Sequence, residues 1–584
     1  MRNRNIIFLL SSIIVAGTLT SIGIDWGIPS KARFELSIQD ATKIKNELPS
    51  ILSFMKTSSW QYSHRKDVPG IETQAIYYDQ LRSYHSDEIV VLKSLGQMHP
   101  GKLDFHPRSF IYPPFLTCLA GAYIGIKSVF GLVELKHDIA YYLTNPDEFG
   151  KMYVAVRQLN IFFFVILIIF TYKIGDEFFN QRVAYISCIL SVLLPIFVIN
   201  THYIKHDFPA GVFVLVSIYY CLKISIYPTK QNFLLLALFS GISASFKYHS
   251  GTVALGIFPA LYYYELKTSI KRQAFITMLK NKWVWFVPVL GILAFFLLNP
   301  YCLIDFREFI AELIYHSKEG YHSFSGRMNE ILLEGYVFFK YLISPPIFIL
   351  IIIAVGHIFI HRNQFIILAI LPVLPFFIIE LLAAIETSSH YIPIFPSLII
   401  SVSYTLDILL KYSLTRTRKV IISLIIVFII LFESGYTYAY LRMFSGSDIR
   451  METGYWIKKN IPLDAKIGLE YYPVIFFTPP IANPERLINF FDIDTKTSRD
   501  LPDYYIISKH RWFFNPILFG KKRTYPYLLW LNNHYVLLKE FEMMPVVFGK
   551  RLAKPEGYRL PPSIEHLCPT FYVYKKIIDN KVNP

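Results

Sequence analysis

Two short runs hold the residue types that could do chemistry. His85-Ser86-Asp87-Glu88 sets two carboxylates side by side, and Lys205-His206-Asp207 sets a carboxylate beside two cationic groups. A carboxylate can take a proton from a hydroxyl as a group is transferred to it. Cationic groups can bind a phosphate leaving group and stabilise its developing charge. Arg157 at the head of an apolar stretch, Lys247, and the 301–335 loop with His316, Lys318, His322 and Arg327 add to that cationic set. Each residue also has a plainer reading. Asp87-Glu88 can start a solvated helix, and Asp207 can cap a helix N-terminus. Lys247 can snorkel to an interface, and Arg157 can anchor at headgroups. His85, His99 and His106 show no standard metal spacing.

The elements that would position these groups are membrane helices. The chain has 584 residues, 53% hydrophobic and only 17% charged. Its apolar residues fall in blocks of roughly 18–25, the length that crosses a bilayer. The formal charge of +16 fits cationic loops at lipid headgroups, and no basic stretch forms a nucleic-acid module. The five cysteines form no CxxC or Cys/His pattern. The first span is expected at 6–24. The next are expected at 153–174, 183–200, 208–226, 233–246, 252–266, 283–299, 335–360, 365–384, 391–410 and 420–433, about eleven in all.

Lysine and arginine asymmetry sets the orientation. Arg2 and Arg4, the 267–282 loop and the 411–419 loop are the cationic segments and should be cytoplasmic. That requires an even number of crossings between Arg4 and Lys267, which holds if the apolar segment 110–133 does not cross, or if it crosses and one of the weak spans near 240–266 is missing. We read 110–133, entered through Tyr112-Pro113-Pro114, as a helix in the outer interface. The first outer loop is then 25–152. The membrane module is 1–439. Residues 440–584, with strand-like runs at 503–508 and 571–574 and proline-rich turns, read as a small α/β domain on the extracytoplasmic side. The fold class is an α-helical integral membrane protein of the plasma (inner) membrane, multi-pass, with Asp87, Glu88 and Asp207 sharing the outer face.

The order of motifs resembles the GT-C polyprenyl-phosphate-sugar glycosyltransferases, in the branch of the protein O-mannosyltransferases and lipid A aminoarabinose transferases. The resemblance rests on HSDE at 85–88, HPRSFIYPP at 106–114, an arginine-headed span, HYIKHDFPA at 202–210, GISASFKY at 241–248, Asn299-Pro300-Tyr301, HYIPIFP at 390–396 and DIRMETGYWIKKNIP at 448–462. It covers about residues 1–465. Ser86 stands where the family usually has proline, Tyr112 where histidine often precedes the proline pair, and His390 where arginine is usual. The resemblance implies Asp87 as catalytic base or acceptor-orienting carboxylate, with Glu88 as its partner. It implies Asp207 in a second acidic site, with a divalent cation as the candidate cofactor there. It implies Lys205, His206, Lys247 and His390 as contacts for the donor phosphate, to which the charge argument adds Arg157. The implied reaction moves one sugar, with inversion, from a polyprenyl-phosphate donor to an extracytoplasmic protein, lipid or glycan. The implied partners are that donor, that acceptor and membrane lipids, with no nucleic acid.

Other classes make different demands. An oligosaccharyltransferase with a diphosphate carrier would bring a WWD-type motif, and the C-terminal segment has none. A transporter or flippase would place ionisable residues at mid-span breaks, whereas these cluster on outer loops. An inactive scaffold-like relative fits the Ser86 and His390 departures. In the enzyme reading the 440–584 domain is a lid or acceptor-recognition module.

Overall fold

The structure is a computed structural model. It describes residues 2–38, 46, 48–49, 79–319, 335–382, 388–413, 415–469, 475–483, 486–489, 501–508, 530–552, 560 and 562–577. The 301–335 loop cations fall outside this set or, for His316 and Lys318, lack described side chains. Two compact units divide the chain: residues 1–24, 90–123 and 156–441 form one, and residues 25–89, 124–155 and 442–584 form the other.

The first unit is a helix bundle. Among the described residues, six helices are long and apolar enough to cross a membrane: Asn3–Ser21, Pro146–Phe178, Asp207–Ile224, Gln364–Leu381, Ser389–Lys411 and Arg416–Ser445. Two bent pairs raise this to eight if each is one span. These are Gln181–Leu193 with Pro195–Thr201, bent by 52°, and Lys271–Lys280 with Lys282–Leu298, bent by 48°. The first bend has a local cause. Leu194 is extended ahead of Pro195, because a proline ring disfavours helical geometry in the residue before it.

Several expected spans differ from what is found. The 252–266 segment is no continuous helix: a 3-10 turn, Tyr248–Gly256, leads into a nine-residue helix, Ile257–Glu265. Its start, His249-Ser250-Gly251-Thr252, lacks good helix formers. The 335–360 stretch breaks at Ser344, in a positive-φ conformation before Pro345-Pro346, and the helix proper is Pro345–His361. The 420–433 span is the middle of a 30-residue helix, Arg416–Ser445. Phe115–Val129, inside the proposed interfacial segment, is an apolar helix of 15 residues and falls short of a crossing.

The second unit holds a mixed five-stranded sheet ordered β2-β1-β3-β7-β4. Here β1 is Ile467–Leu469, β2 Leu487–Asn489, β3 Tyr504–Ser508, β4 Tyr535–Glu542 and β7 Thr570–Lys576, while β5 (Val546–Val547) and β6 (Lys550–Arg551) pair with each other in a separate two-stranded sheet. The runs read as strands at 503–508 and 571–574 become β3 and β7, paired antiparallel, and β1 runs parallel to β2 and β3. Alternation along β3 serves two cores. Tyr504 and Ile506 join Ile457, Ile467, Phe571 and Val573, with Ile449 and Ile457 coming from the helix Ile449–Asn460. Tyr505 and Ile507 join Leu531 and Tyr535.

Candidate active site

In the helical unit, sequence motifs far apart in the chain meet. Asp207 opens the helix Asp207–Ile224. The loop before it is pinned by Asn160, which donates to the carbonyls of Thr201 and Tyr203, both at 2.9 Å. The helix also lies close to the 388–394 turn. A Cβ on Gly211 would sit 3.1 Å from Pro393 Cα and 3.2 Å from Ile392, so a residue without a side chain permits this approach.

A buried charge cluster forms there. Lys247 Nζ donates to Asp207 Oδ1 at 2.7 Å and also lies 2.7 Å from Glu380 Oε1. His249 Nε2 meets the same Glu380 oxygen, and His390 Nδ1 lies 3.1 Å from Glu380 Oε2. Lys205 Nζ donates to Ser389 Oγ at 2.9 Å, next to His390 in the chain. His206 stacks on Tyr112 at 4.3 Å and 11°. Lys205, His206, Asp207, Lys247 and Glu380 are all buried, and His390 is partly exposed.

Burial of this kind needs compensation. An unpaired charge in a low-dielectric interior costs several kcal/mol or about that much in rearrangement. Here one lysine serves two carboxylates, and one carboxylate is held by a lysine and two imidazoles. Lys247 is thus no snorkelling residue, since its ammonium is turned inward between carboxylates. A divalent cation at Asp207 does not fit these residues. The Lys247 ammonium already lies against the Asp207 oxygen, and among the described residues no group of three or more His, Cys, Asp or Glu could hold a metal.

The proline-pair segment is fixed beside this site. Phe110 N donates to Glu312 Oε2 at 2.6 Å, and the Phe110 carbonyl accepts from Tyr248 OH at 2.8 Å. Phe115 N donates to Asn299 Oδ1 at 2.9 Å, and Asn299 Nδ2 donates to Ser245 Oγ at 2.8 Å. The motifs around 112, 206, 248 and 299 are therefore one assembly. Arg157 is fully buried and donates from Nη1 to the Ile24 carbonyl at 2.7 Å, which is no exposed headgroup anchor.

Asp87 and Glu88 belong to the other unit. Glu88 is buried and accepts from Ser83 Oγ at 2.5 Å. Asp87 is partly exposed; its backbone N–H donates to His85 Nδ1 at 3.2 Å and its Oδ1 accepts from Ser86 Oγ at 3.0 Å. The loop leading to it is clamped. Arg33 Nη2 donates to the carbonyls of Gln80 and Arg82, both at 2.7 Å, and Asp79 Oδ2 accepts from Ile475 N at 2.9 Å. Gly27, at a φ of +64°, leaves room for the Tyr84 ring, which a Cβ would meet at 2.7 Å. Burial pushes the Tyr84 phenol up to about 12, so it stays neutral under the Arg450 guanidinium, 4.3 Å from the ring centre.

Glu380 and His249 escaped the sequence reading. A lone carboxylate in an apolar run is a functional signal, and Glu380 is the one acidic residue between 364 and 382. His249 stands two residues after Lys247, just past the end of the motif.

Residues 148–300 match the family model described as dolichyl-phosphate-mannose-protein mannosyltransferase. A search of curated proteins finds no match. Among solved structures, the chain is similar to ArnT from Cupriavidus metallidurans bound to undecaprenyl phosphate, at 12% identity and TM-score 0.40, covering 99% of each chain. It is also similar to an oligosaccharyltransferase from Archaeoglobus fulgidus in complex with Zn and sulfate, at 10% identity and TM-score 0.37, covering 75% of this chain and 64% of that one. Both likenesses are distant. The family match is the firmer finding, and it contains Arg157, Lys205, His206, Asp207, Lys247 and the Asn299-Pro300 pair. The chain thus carries a segment similar to the dolichyl-phosphate-mannose-protein mannosyltransferases, together with several helices long and apolar enough to cross a membrane.

Proposed function

We propose that the chain is a GT-C membrane glycosyltransferase that transfers a single sugar from a polyprenyl-phosphate donor to a hydroxyl of an extracytoplasmic protein, lipid or glycan, inverting the anomeric carbon. The observation that carries the reading is the buried cluster in which Lys247, His249 and His390 surround the Glu380 carboxylate. A lipid phosphate is the kind of anion such a group of donors suits, since charge-assisted hydrogen bonds are roughly twice as strong as neutral ones. Lys205 and His206 would add charge at the same place, and Asp207 would hold Lys247 in line. The apolar helices let the donor enter sideways from the bilayer.

Asp87 would be the base. As the acceptor oxygen bonds to the anomeric carbon, the bond from that carbon to the phosphate oxygen breaks. The acceptor proton passes to the Asp87 carboxylate, and the electron pair leaves on the lipid phosphate, where the cationic groups stabilise it. Glu88, held by Ser83, would keep the second charge of the pair in place. Arg157 would act on the donor only indirectly, by fixing the end of the first helix. Asp87, Glu88 and the charge cluster would share the outer face of a plasma-membrane protein, and mannose is the first sugar to test.

The purified chain should convert radiolabelled undecaprenyl-phosphate mannose, glucose or aminoarabinose to lipid-free label. Lys247→Ala should raise the donor KM or abolish turnover. Normal donor kinetics in Lys247→Ala would remove the cluster from donor binding.

A further inference from the structure

The Ser86 hydroxyl lies between two groups from distant parts of the sequence. Its Oγ is 3.0 Å from Asp87 Oδ1 and 3.3 Å from His566 Nε2. All three residues belong to the same compact unit. A hydroxyl has one proton to give, and an ionised carboxylate only accepts. If the Ser86 proton goes to Asp87, Ser86 must accept from the imidazole.

His566 is suited to supply that hydrogen. It is buried, and its pKa is held well below that of an ordinary histidine, by burial first and then by His85 and Arg450. It is therefore neutral, with one N–H. Its Nδ1 has no hydrogen-bond partner among the described residues, so the proton belongs on Nε2, facing Ser86. The ring is fixed on several sides. The His85 ring lies edge-on at 4.9 Å, and Phe476 and Phe477 lie at 5.3 and 5.5 Å. The His566 carbonyl accepts from Arg450 Nη2 at 2.6 Å, and Arg450 is paired with Asp448 at 2.9 Å. Glu565 and Asp87 are the acidic groups whose charge it feels.

We propose that His566 is a positioning residue for Asp87, acting through a relay in which His566 Nε2–H donates to Ser86 and Ser86 donates to Asp87 Oδ1. The relay holds the carboxylate in one orientation and leaves Oδ2 to take the acceptor proton. It rests on the reading of Asp87 as the base. It also gives the C-terminal part of the chain a place in the chemistry, beyond a lid or acceptor-recognition role.

The test uses the full chain and whichever of the three radiolabelled undecaprenyl-phosphate sugars it turns over. Ser86→Ala and His566→Ala should each lower kcat about 10- to 100-fold, the scale of a hydrogen bond to a charged group, with donor KM unchanged. The double variant should lose no more than either single one, since both break the same chain of bonds. His566→Gln, whose amide N–H can replace Nε2–H, should keep most of the activity. A purely structural role would lower the yield of folded protein while leaving kcat per folded molecule unchanged. Losses that multiply in the double variant, or full activity of both single variants while Asp87→Asn is inactive, would overturn the relay alone. Full activity of Asp87→Asn, or no turnover of any donor by the unaltered chain, would overturn the base assignment and the relay with it.

Discussion

At the scale of single residues, the cluster around Lys247 is the most sensitive point of the helical unit. Lys247→Ala leaves Asp207 and Glu380 buried without their shared cation, and removing one partner of a buried pair costs about 3–5 kcal/mol. The expected result is loss of donor turnover together with a lower unfolding temperature. Glu380→Gln tests the same balance from the other side. It removes a charge that holds Lys247, His249 and His390, so donor KM should change while Asp87-dependent chemistry remains. An unchanged KM would exclude Glu380 from the donor pocket. His566 gives a pH prediction for the other unit. Its folded pKa lies below the unfolded value of about 6.5, so the unfolded chain binds more protons in that window. The histidine's contribution is fully present above the unfolded value and is lost as pH falls below it. Protease resistance of residues 442–584 should therefore fall on acidification, and less so in His566→Gln. Equal acid sensitivity in both would mean that other groups set it.

At the scale of elements, the close approach of helix Asp207–Ile224 to the 388–394 turn positions His390 and Ser389 beside Lys205 and Lys247. Gly211→Val would put side-chain atoms where Pro393 and Ile392 already lie. Overpacking of this kind costs about 1–3 kcal/mol, and activity should fall with stability; a variant of normal stability and activity would show that the turn can move aside. The sequence makes some elements legible and hides others, for physical reasons. Long apolar runs such as 153–174, which lies inside the helix Pro146–Phe178, announce themselves, as does the alternation at 503–508. The broken segments do not, because hydropathy is the same in a 3-10 turn and a helix. Thus 252–266 reads as a span and is a turn followed by a short helix. The predicted cations Lys205, Lys247 and His390 do assemble, but Glu380 and His249 are visible only once the helices are packed. The Ser86–His566 contact joins residues 480 positions apart, and no local pattern encodes it.

At the scale of the whole molecule, the account needs a membrane enzyme with its two acidic loops on one side of the bilayer. The 15-residue helix Phe115–Val129 is compatible with a segment that does not cross. A single cysteine near Lys271 should resist an impermeant thiol reagent in intact cells, and one near Gly101 should react. Labelling of both would break the shared face. The central claim is that Asp87 activates an acceptor while the Lys247 cluster binds the donor phosphate. It is tested most directly by measuring turnover of a radiolabelled undecaprenyl-phosphate sugar, with donor binding followed in parallel, for the unaltered chain and for Asp87→Asn. The account predicts that Asp87→Asn binds the donor as before and transfers at least about a hundredfold more slowly, the scale of a general base. An Asp87→Asn protein that transfers at the normal rate would contradict it.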